Sequence, residues 1–287
     1  MGDAGCEGLG AAPFVSCFLR QHDLVQVQWV FLSLPGTPER PLQYNHDQIK
    51  QATDAHQRLL KLDHTQTFNS DRTVILVGGG DIDWERLEYA IGMGHPIIAV
   101  DSGADALRDA GVRPDVIIGD MDSISDIRGW TAPTRVAEIP EQDTTDFEKA
   151  LYATSAPLYL AFGFFGQRLD HSLTALHCLT KYRTLKSIVL IDLVDLMFAP
   201  TVPLTIDLPR NSRFSINPLA PVTFLSSTGL QYPLDGLTLE AGVATGTSNK
   251  VTGATVSVIP EYAERADYQV VVPNSLLRHV LKWYSSL

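Results

Sequence analysis

Two aspartates, Asp120 and Asp122, stand two residues apart after the apolar run DVIIG (115–119). If the strand persists through them, their side chains share a face, and neighbouring carboxylates repel unless a cation lies between them. Oxygen ligands with no His or Cys nearby suit Mg2+ better than zinc, and Mg2+ usually shares its shell with substrate phosphates. Acids also follow the other apolar runs: Gly78-Gly79-Gly80-Asp81, then Asp101 after PIIAV, then Gln142-Asp143-Thr144-Thr145-Asp146 after RVAEI. Any one of them reads as a helix cap or turn residue. Such a set converging on one edge of a sheet reads as a site.

A second group is built around a cation. The segment Gly163-Phe-Phe-Gly-Gln-Arg-Leu-Asp-His171 is a Gly-rich loop that delivers Arg168, whose planar fork grips phosphate oxygens in a way Lys cannot match. Asp170 and His171 follow at a helix start. The turn holding Gly79 and Gly80 lacks the third glycine of a dinucleotide fingerprint, and no G-x-x-x-x-G-K-[ST] occurs anywhere. What remains is a strand-to-helix turn whose N–H groups can receive a phosphate. Asp120-Met-Asp122-Ser-Ile124 also resembles an aspartyl-phosphatase nucleophile loop, but Ile124 is off-pattern and the loop follows the third strand rather than the first.

These residues need elements to place them. Between 73 and about 195, the runs VILVG, PIIAV, DVIIG, RVAEI, PLYLAFG and SIVLID are short and β-rich, and most are continuous rather than alternating in their apolar residues, as strands buried on both faces are. Helical periods separate them: Trp84, Leu87 and Ile91, then Leu173, Leu176 and Leu179. Thr145 with Glu148 reads as a capping box ahead of the stripe Phe147, Ala150 and Leu151. The fold class expected is therefore α/β, a parallel sheet with helices on both faces. After about Leu196, closely spaced strands with Pro and Gly turns (LTIDL, RFSI, PVTFL, LTLEAGV, ATVSVI, YQVVV) predict an all-β sandwich or barrel, closed by the helical SLLRHVLKWY. Ahead of both lies an N-terminal extension over 1–70 with an alternating patch at 24–34 and a helix-like stretch at 47–61, to which no chemistry is assigned. The domains expected are thus 1–70, 71–195 and 196–287.

At 287 residues and 45% hydrophobic, the chain can bury a large core. Its formal net charge of −11 disfavours nucleic acid and anionic membranes as partners. The three cysteines, Cys6, Cys17 and Cys178, form neither a disulfide framework nor a zinc pattern. No apolar run approaches the roughly 20 residues of a membrane span, and the first residues lack a basic signal-peptide start. The cytoplasm is the expected location.

Taken together, GGGD, DSGAD, GVRPDVIIGDMDSI, QDTTDFEKAL, GQRLDH and the downstream GTSNKV resemble the thiamine pyrophosphokinase family over about residues 73–259. The resemblance implies an ATP- and Mg2+-dependent transfer of a diphosphoryl group to the hydroxyl of thiamine, releasing AMP, by a homodimer with thiamine between subunits. It implies that Asp101, Asp120, Asp122, Asp143 and Asp146 organise metal and phosphate, with Asp101, Asp122, Asp146 and Arg168 closest to the chemistry. Gly79, Gly80, Asp81, Gln142, Arg168, Asp170 and His171 fall on the nucleotide side. Thr247, Ser248 and Asn249 fall on the thiamine side, as does Tyr232, which stands in GLQYPL where the family often has Trp. Gln167 separates Gly166 from Arg168, a departure from the tighter family spacing. A pterin diphosphokinase would share the ATP half of such a site; GTSNKV and the all-β tail favour thiamine.

Overall fold

The computed structural model describes residues 66–262 and 267–287. The patch at 24–34, the stretch at 47–61, Cys6 and Cys17 lie outside the described residues. From Asp63 onward the chain forms one compact unit.

In chain order, the first half comprises β1 (Phe68–Asn69), β2 (Val74–Val77), α1 (Trp84–Gly92), β3 (Ile97–Val100), α2 (Gly103–Asp109), β4 (Val116–Gly119) and β5 (Arg135–Glu138). It continues through α3 (Asp146–Tyr152), β6 (Thr154–Ser155), β7 (Tyr159–Phe162), α4 (Leu169–Tyr182) and β8 (Ile188–Ile191). Strands β2, β3, β4, β7 and β8 are buried along their whole length, as continuous apolar runs require. They run parallel in the spatial order β5-β4-β3-β2-β7-β8. On one face, Ile75, Val77, Ile97 and Ala99 pack with Leu87 and Ala90 of α1 and with Ala104 and Leu107 of α2. Right-handed crossovers that run out to β5 and return to β7 put α3 and α4 on the other face. These helices bury Phe147, Ala150 and Leu151, and Ala175, Cys178 and Leu179.

The second half comprises β9 (Asp195–Phe198), β10 (Leu204–Asp207), β11 (Arg213–Pro218), β12 (Val222–Thr228), β13 (Thr238–Leu239), β14 (Gly246–Lys250), β15 (Thr255–Pro260), β16 (Tyr268–Pro273) and α5 (Leu277–Tyr284). β9 folds back antiparallel on β8, and β16, β11 and β14 follow, so the sheet continues to ten strands. The change of pattern after about Leu196 thus marks a switch from parallel to antiparallel pairing within one sheet. A second, antiparallel sheet, β10-β15-β12-β13, faces it. β10 buries Leu204 and Ile206 and exposes Thr205 and Asp207, the alternation of a strand covered on one side. Phe214, Ile216, Phe224, Val256, Val258 and Val270 share the core between the sheets. The Phe224 and Tyr268 rings meet edge to face at 5.4 Å.

Two local expectations change. The capping box does not form: Thr145 makes no side-chain cap bond, and Glu148, 6% exposed, accepts instead from Lys181 Nζ and the Tyr182 hydroxyl on α4. A carboxylate in so dry a place is held better by an ammonium and a phenol than by one backbone N–H. Leu173 does not join a buried stripe; it and Leu169 stand 57% and 74% exposed. Among the described residues, no helix is long and apolar enough to cross a membrane.

Candidate active site

The chain leaves β2 in one direction for β3 and returns on its other side as β7, so strand order reverses between them. Ligands of open α/β sheets bind beyond the carboxyl ends of the strands at such a switch point. There the turn after β2 and the loop after β7 interlock: the Gly80 N–H donates to Gly163 O at 2.7 Å, and the Asp81 N–H donates to Phe165 O at 2.9 Å. The fit tolerates no side chain, because a Cβ on Gly80 would meet Phe165 O at 2.3 Å and one on Gly163 would meet Gly78 O at 2.5 Å. Around this junction opens a cavity of about 480 Å³.

Its acidic wall comes from the ends of β3 and β4 and the start of α3. Carboxylate oxygens of Asp101, Asp120 and Asp122 lie within 4.8 Å of one another. They meet through turns rather than along a strand, since β4 ends at Gly119 and Met121 between the pair has φ +67°. Asp101 also has positive φ, +46°, a strained conformation for a side-chain-bearing residue of the kind concentrated at functional sites. It is 7% exposed, and its Oδ1 is buried with no hydrogen-bond partner. Burial raises its pKa, and the neighbouring Asp146 and Asp120 charges raise it further. Asp120 moves the other way. Desolvation opposes its ionisation, but hydrogen bonds from Gln142 and Lys149 outweigh that and hold its pKa low. Gln142 Nε2 and Lys149 Nζ reach Asp120 Oδ2 at 2.9 and 3.1 Å. Lys149 also meets Asp146 Oδ1 at 3.0 Å, and that same oxygen accepts the Asp120 N–H at 3.1 Å.

The other expected residues distribute as follows. Gly79, Gly80, Gln142, Asp146, Arg168 and His171 line the cavity with the acids. Arg168 lies at its rim, holding Asp170 in a two-pronged pair at 2.7 and 3.2 Å. Asp81 does not line the cavity; its carboxylate lies against Gly166, whose φ of +79° no bulkier residue adopts easily. Asp143 is exposed outside the cavity and gives its N–H to Glu141. Tyr232, Thr247, Ser248 and Asn249 form a separate group in the sandwich. Asn249, 6% exposed, accepts the Tyr232 N–H and donates to Tyr232 O, leaving that ring 61% exposed. Ser248 has φ +60° at an irregularity in the β11–β14 register, and Thr247 meets Thr245 at 3.0 Å. Lys149 and Glu141 escaped the sequence reading. The one signal for Lys149 was a charge three residues after Asp146, inside an otherwise apolar stripe.

These donors fit a hard divalent cation: an all-oxygen set, one member with a buried oxygen lacking any partner, spaced closely enough to share an ion. Fold and cleft together define the class, an α/β protein with a glycine-lined, carboxylate-rich pocket at the switch point of its sheet and a β-sandwich joined along the same sheet.

Two family models match, the thiamin pyrophosphokinase catalytic domain over residues 92–191 and the thiamin pyrophosphokinase vitamin B1 binding domain over 204–259, together more than half of the chain. This chain belongs to the thiamine pyrophosphokinase family. Thiamine pyrophosphokinase of Bacillus subtilis is 28% identical over 199 residues, 63% of this chain and 90% of that protein. Thiamine pyrophosphokinase 1 of Oryza sativa subsp. japonica is 30% identical over 51% of this chain, and thiamin pyrophosphokinase 1 of Caenorhabditis elegans is 28% identical over 50%. The matches span 62% and 65% of those two proteins, a little under two thirds of each. The crystal structure of the Bacillus subtilis enzyme superposes with a TM-score of 0.58 at 26% identity, covering 70% of this chain and 98% of that one. The Candida albicans enzyme shares the fold, with a TM-score of 0.59 at 17% identity over 70% of this chain and 89% of that one.

Proposed function

We propose that this chain is a thiamine diphosphokinase, moving a diphosphoryl group from ATP to the hydroxyethyl oxygen of thiamine and releasing AMP. The observation that carries this reading is the convergence of Asp101, Asp120 and Asp122 with two glycine-rich turns and Arg168 on one cavity. In this reading, residues 71–195 bind ATP and residues 196–287 bind thiamine.

The Gly79 N–H receives a phosphate oxygen, with Gln142 and His171 around it, while Gly80 and Asp81 shape the turn through their bonds to Gly163 O and Phe165 O. Arg168 exchanges its Asp170 fork for the phosphate next to the leaving AMP. Asp101, Asp120 and Asp122 would hold Mg2+, with Asp146 as an organising acid; Asp143, outside the cavity, is left without that role. Bound there, Mg2+ screens and polarises phosphate oxygens. The hydroxyl oxygen of thiamine bonds to the β-phosphorus as that phosphorus loses its bond to the oxygen bridging to the α-phosphate. The bridging oxygen leaves with AMP, and the hydroxyl proton passes to a carboxylate. Asp146 is committed to Lys149 and the Asp120 N–H, so we assign that proton to Asp122. Most of the rate enhancement then comes from positioning and electrostatics.

Thiamine is a cation, which suits an acidic chain and the face of the exposed Tyr232 ring beside Thr247, Ser248 and Asn249. A homodimer with its sites between subunits would bring this group to the cavity of the partner; Leu169 and Leu173, exposed beside Arg168 and His171, support a contact there. We place the enzyme in the cytoplasm, consistent with cysteines that show no disulfide pattern. Incubation of the purified chain with ATP, Mg2+ and thiamine should yield thiamine diphosphate and AMP by chromatography. ADP with thiamine monophosphate would overturn a one-step diphosphoryl transfer.

A further inference from the structure

The loop between β5 and α3 and the first residue of α3 each supply a contact that holds Asp120, yet the loop has no strand or helix of its own to stiffen it. Gln142 donates to Asp120 Oδ2 at 2.9 Å, and Asp146 Oδ1 accepts the Asp120 N–H at 3.1 Å. What fixes the loop is Glu141, which lies outside the cavity. Its Oε2 accepts the Asp143 and Thr144 N–H groups at 2.6 and 3.0 Å. Its Oε1 accepts the Thr144 hydroxyl and, at 2.9 Å, the Tyr152 hydroxyl from the last turn of α3. One carboxylate thus takes four donors, two on each oxygen, and ties the loop to the far end of the helix it feeds.

We infer that Glu141 is a positioning residue for the metal-binding carboxylates, acting through Gln142 and Asp146 on Asp120. The inference rests on the proposed function, because it supposes that Asp101, Asp120 and Asp122 hold a divalent ion. Only an ionised carboxylate can accept all four donors at once. An amide in its place turns one acceptor into an NH2 group facing donors, and the loop must shift. Desolvation disfavours charge on Glu141, but the hydrogen bonds from Thr144, Tyr152 and the loop N–H groups prevail and lower its pKa, so it is charged in neutral solution. Groups that orient metal ligands without touching the metal typically change metal affinity by 10- to 100-fold when replaced.

The test is Mn2+ binding to the full chain, followed by electron paramagnetic resonance of the free ion, in wild type, Glu141→Gln and Tyr152→Phe. Glu141→Gln should weaken Mn2+ binding by roughly 10-fold. Tyr152→Phe, which leaves three of the four donors, should weaken it by a smaller factor in the same direction and keeps the question open to measurement if Glu141→Gln fails to fold. The half-saturating Mg2+ concentration for activity should rise in the same order while the KM for thiamine stays put. Unchanged Mn2+ affinity in a folded Tyr152→Phe and Glu141→Gln, whatever their melting temperatures, would overturn the inference. Absence of Mn2+ binding by the wild type would instead overturn the reading on which it rests.

Discussion

Lys149 stands between Asp146 and Asp120 with its side chain 1% exposed. Desolvation alone would lower its pKa, but hydrogen bonds to both carboxylates more than compensate and raise it. Breaking such a pair is costly because the remaining charges stay buried and uncompensated. Lys149→Met is therefore expected to lower the unfolding free energy by about 3–5 kcal/mol in urea titration at neutral pH; a near-neutral result would mean that water already satisfies Asp120 and Asp146. Asp122 sits at the opposite extreme. It is exposed, and the hydrogen bonds at its carboxylate come from its neighbour Ser123, so its replacement should separate chemistry from folding. Asp122→Asn should cut turnover by roughly 10²–10³-fold, the scale for losing one preorganised charge, with no change in melting temperature. Turnover like the wild type's at saturating Mg2+ would remove Asp122 from the site.

Among the elements, those most legible in the sequence were the ones whose environment is uniform. β2, β3, β7 and β8 are apolar throughout because both faces are covered, and acids at strand ends become interpretable once the strands are in place. What local pattern cannot carry is a partner from elsewhere in the chain. Glu148 has the spacing of a capping residue but is drawn to Lys181 and Tyr182, more than thirty residues away. Glu141 looks like a solvated loop acid until Tyr152 is folded onto it. Lys186 is a third case, a lysine in the connection between α4 and β8 whose Nζ donates to Thr154 O at 2.8 Å and lies 5.3 Å from the Tyr159 ring centre. Burial lowers its pKa from the usual 10.5. The unfolded chain then keeps this proton to higher pH than the folded one. Between the lowered value and 10.5, unfolding takes up a proton and stability rises with pH; below that window both states are protonated and the penalty is constant. Paired urea titrations of the wild type and Lys186→Met should accordingly show the wild type gaining on the variant through the alkaline range below 10.5. A difference that stays flat across that range would show that Nζ remains hydrated in the fold.

For the molecule as a whole, the break in sequence pattern near Leu196 and the continuity of the sheet have to be reconciled. Composition changes there because the second half exposes one face of its strands. Pairing does not stop, since Val189, Leu190 and Ile191 of β8 lie opposite Phe198, Met197 and Leu196 of β9. That antiparallel return depends on contacts that no window of sequence contains. It leaves β8 with partners on both sides, and the apolar cluster runs without interruption from Ile75 and Leu160 to Ile216 and Val256. Two halves that share a sheet and a core cannot unfold separately without exposing buried strand edges and apolar surface on both sides. Leu160→Ala in β7 and Ile216→Ala in β11, at 0% and 2% exposure, each remove core volume worth about 2–5 kcal/mol. In calorimetry of the full chain, both should move the same single transition of the unit that begins at Asp63. If each shifted a different transition, the halves would be independent, and the switch-point cavity would have to be supported by the parallel strands alone.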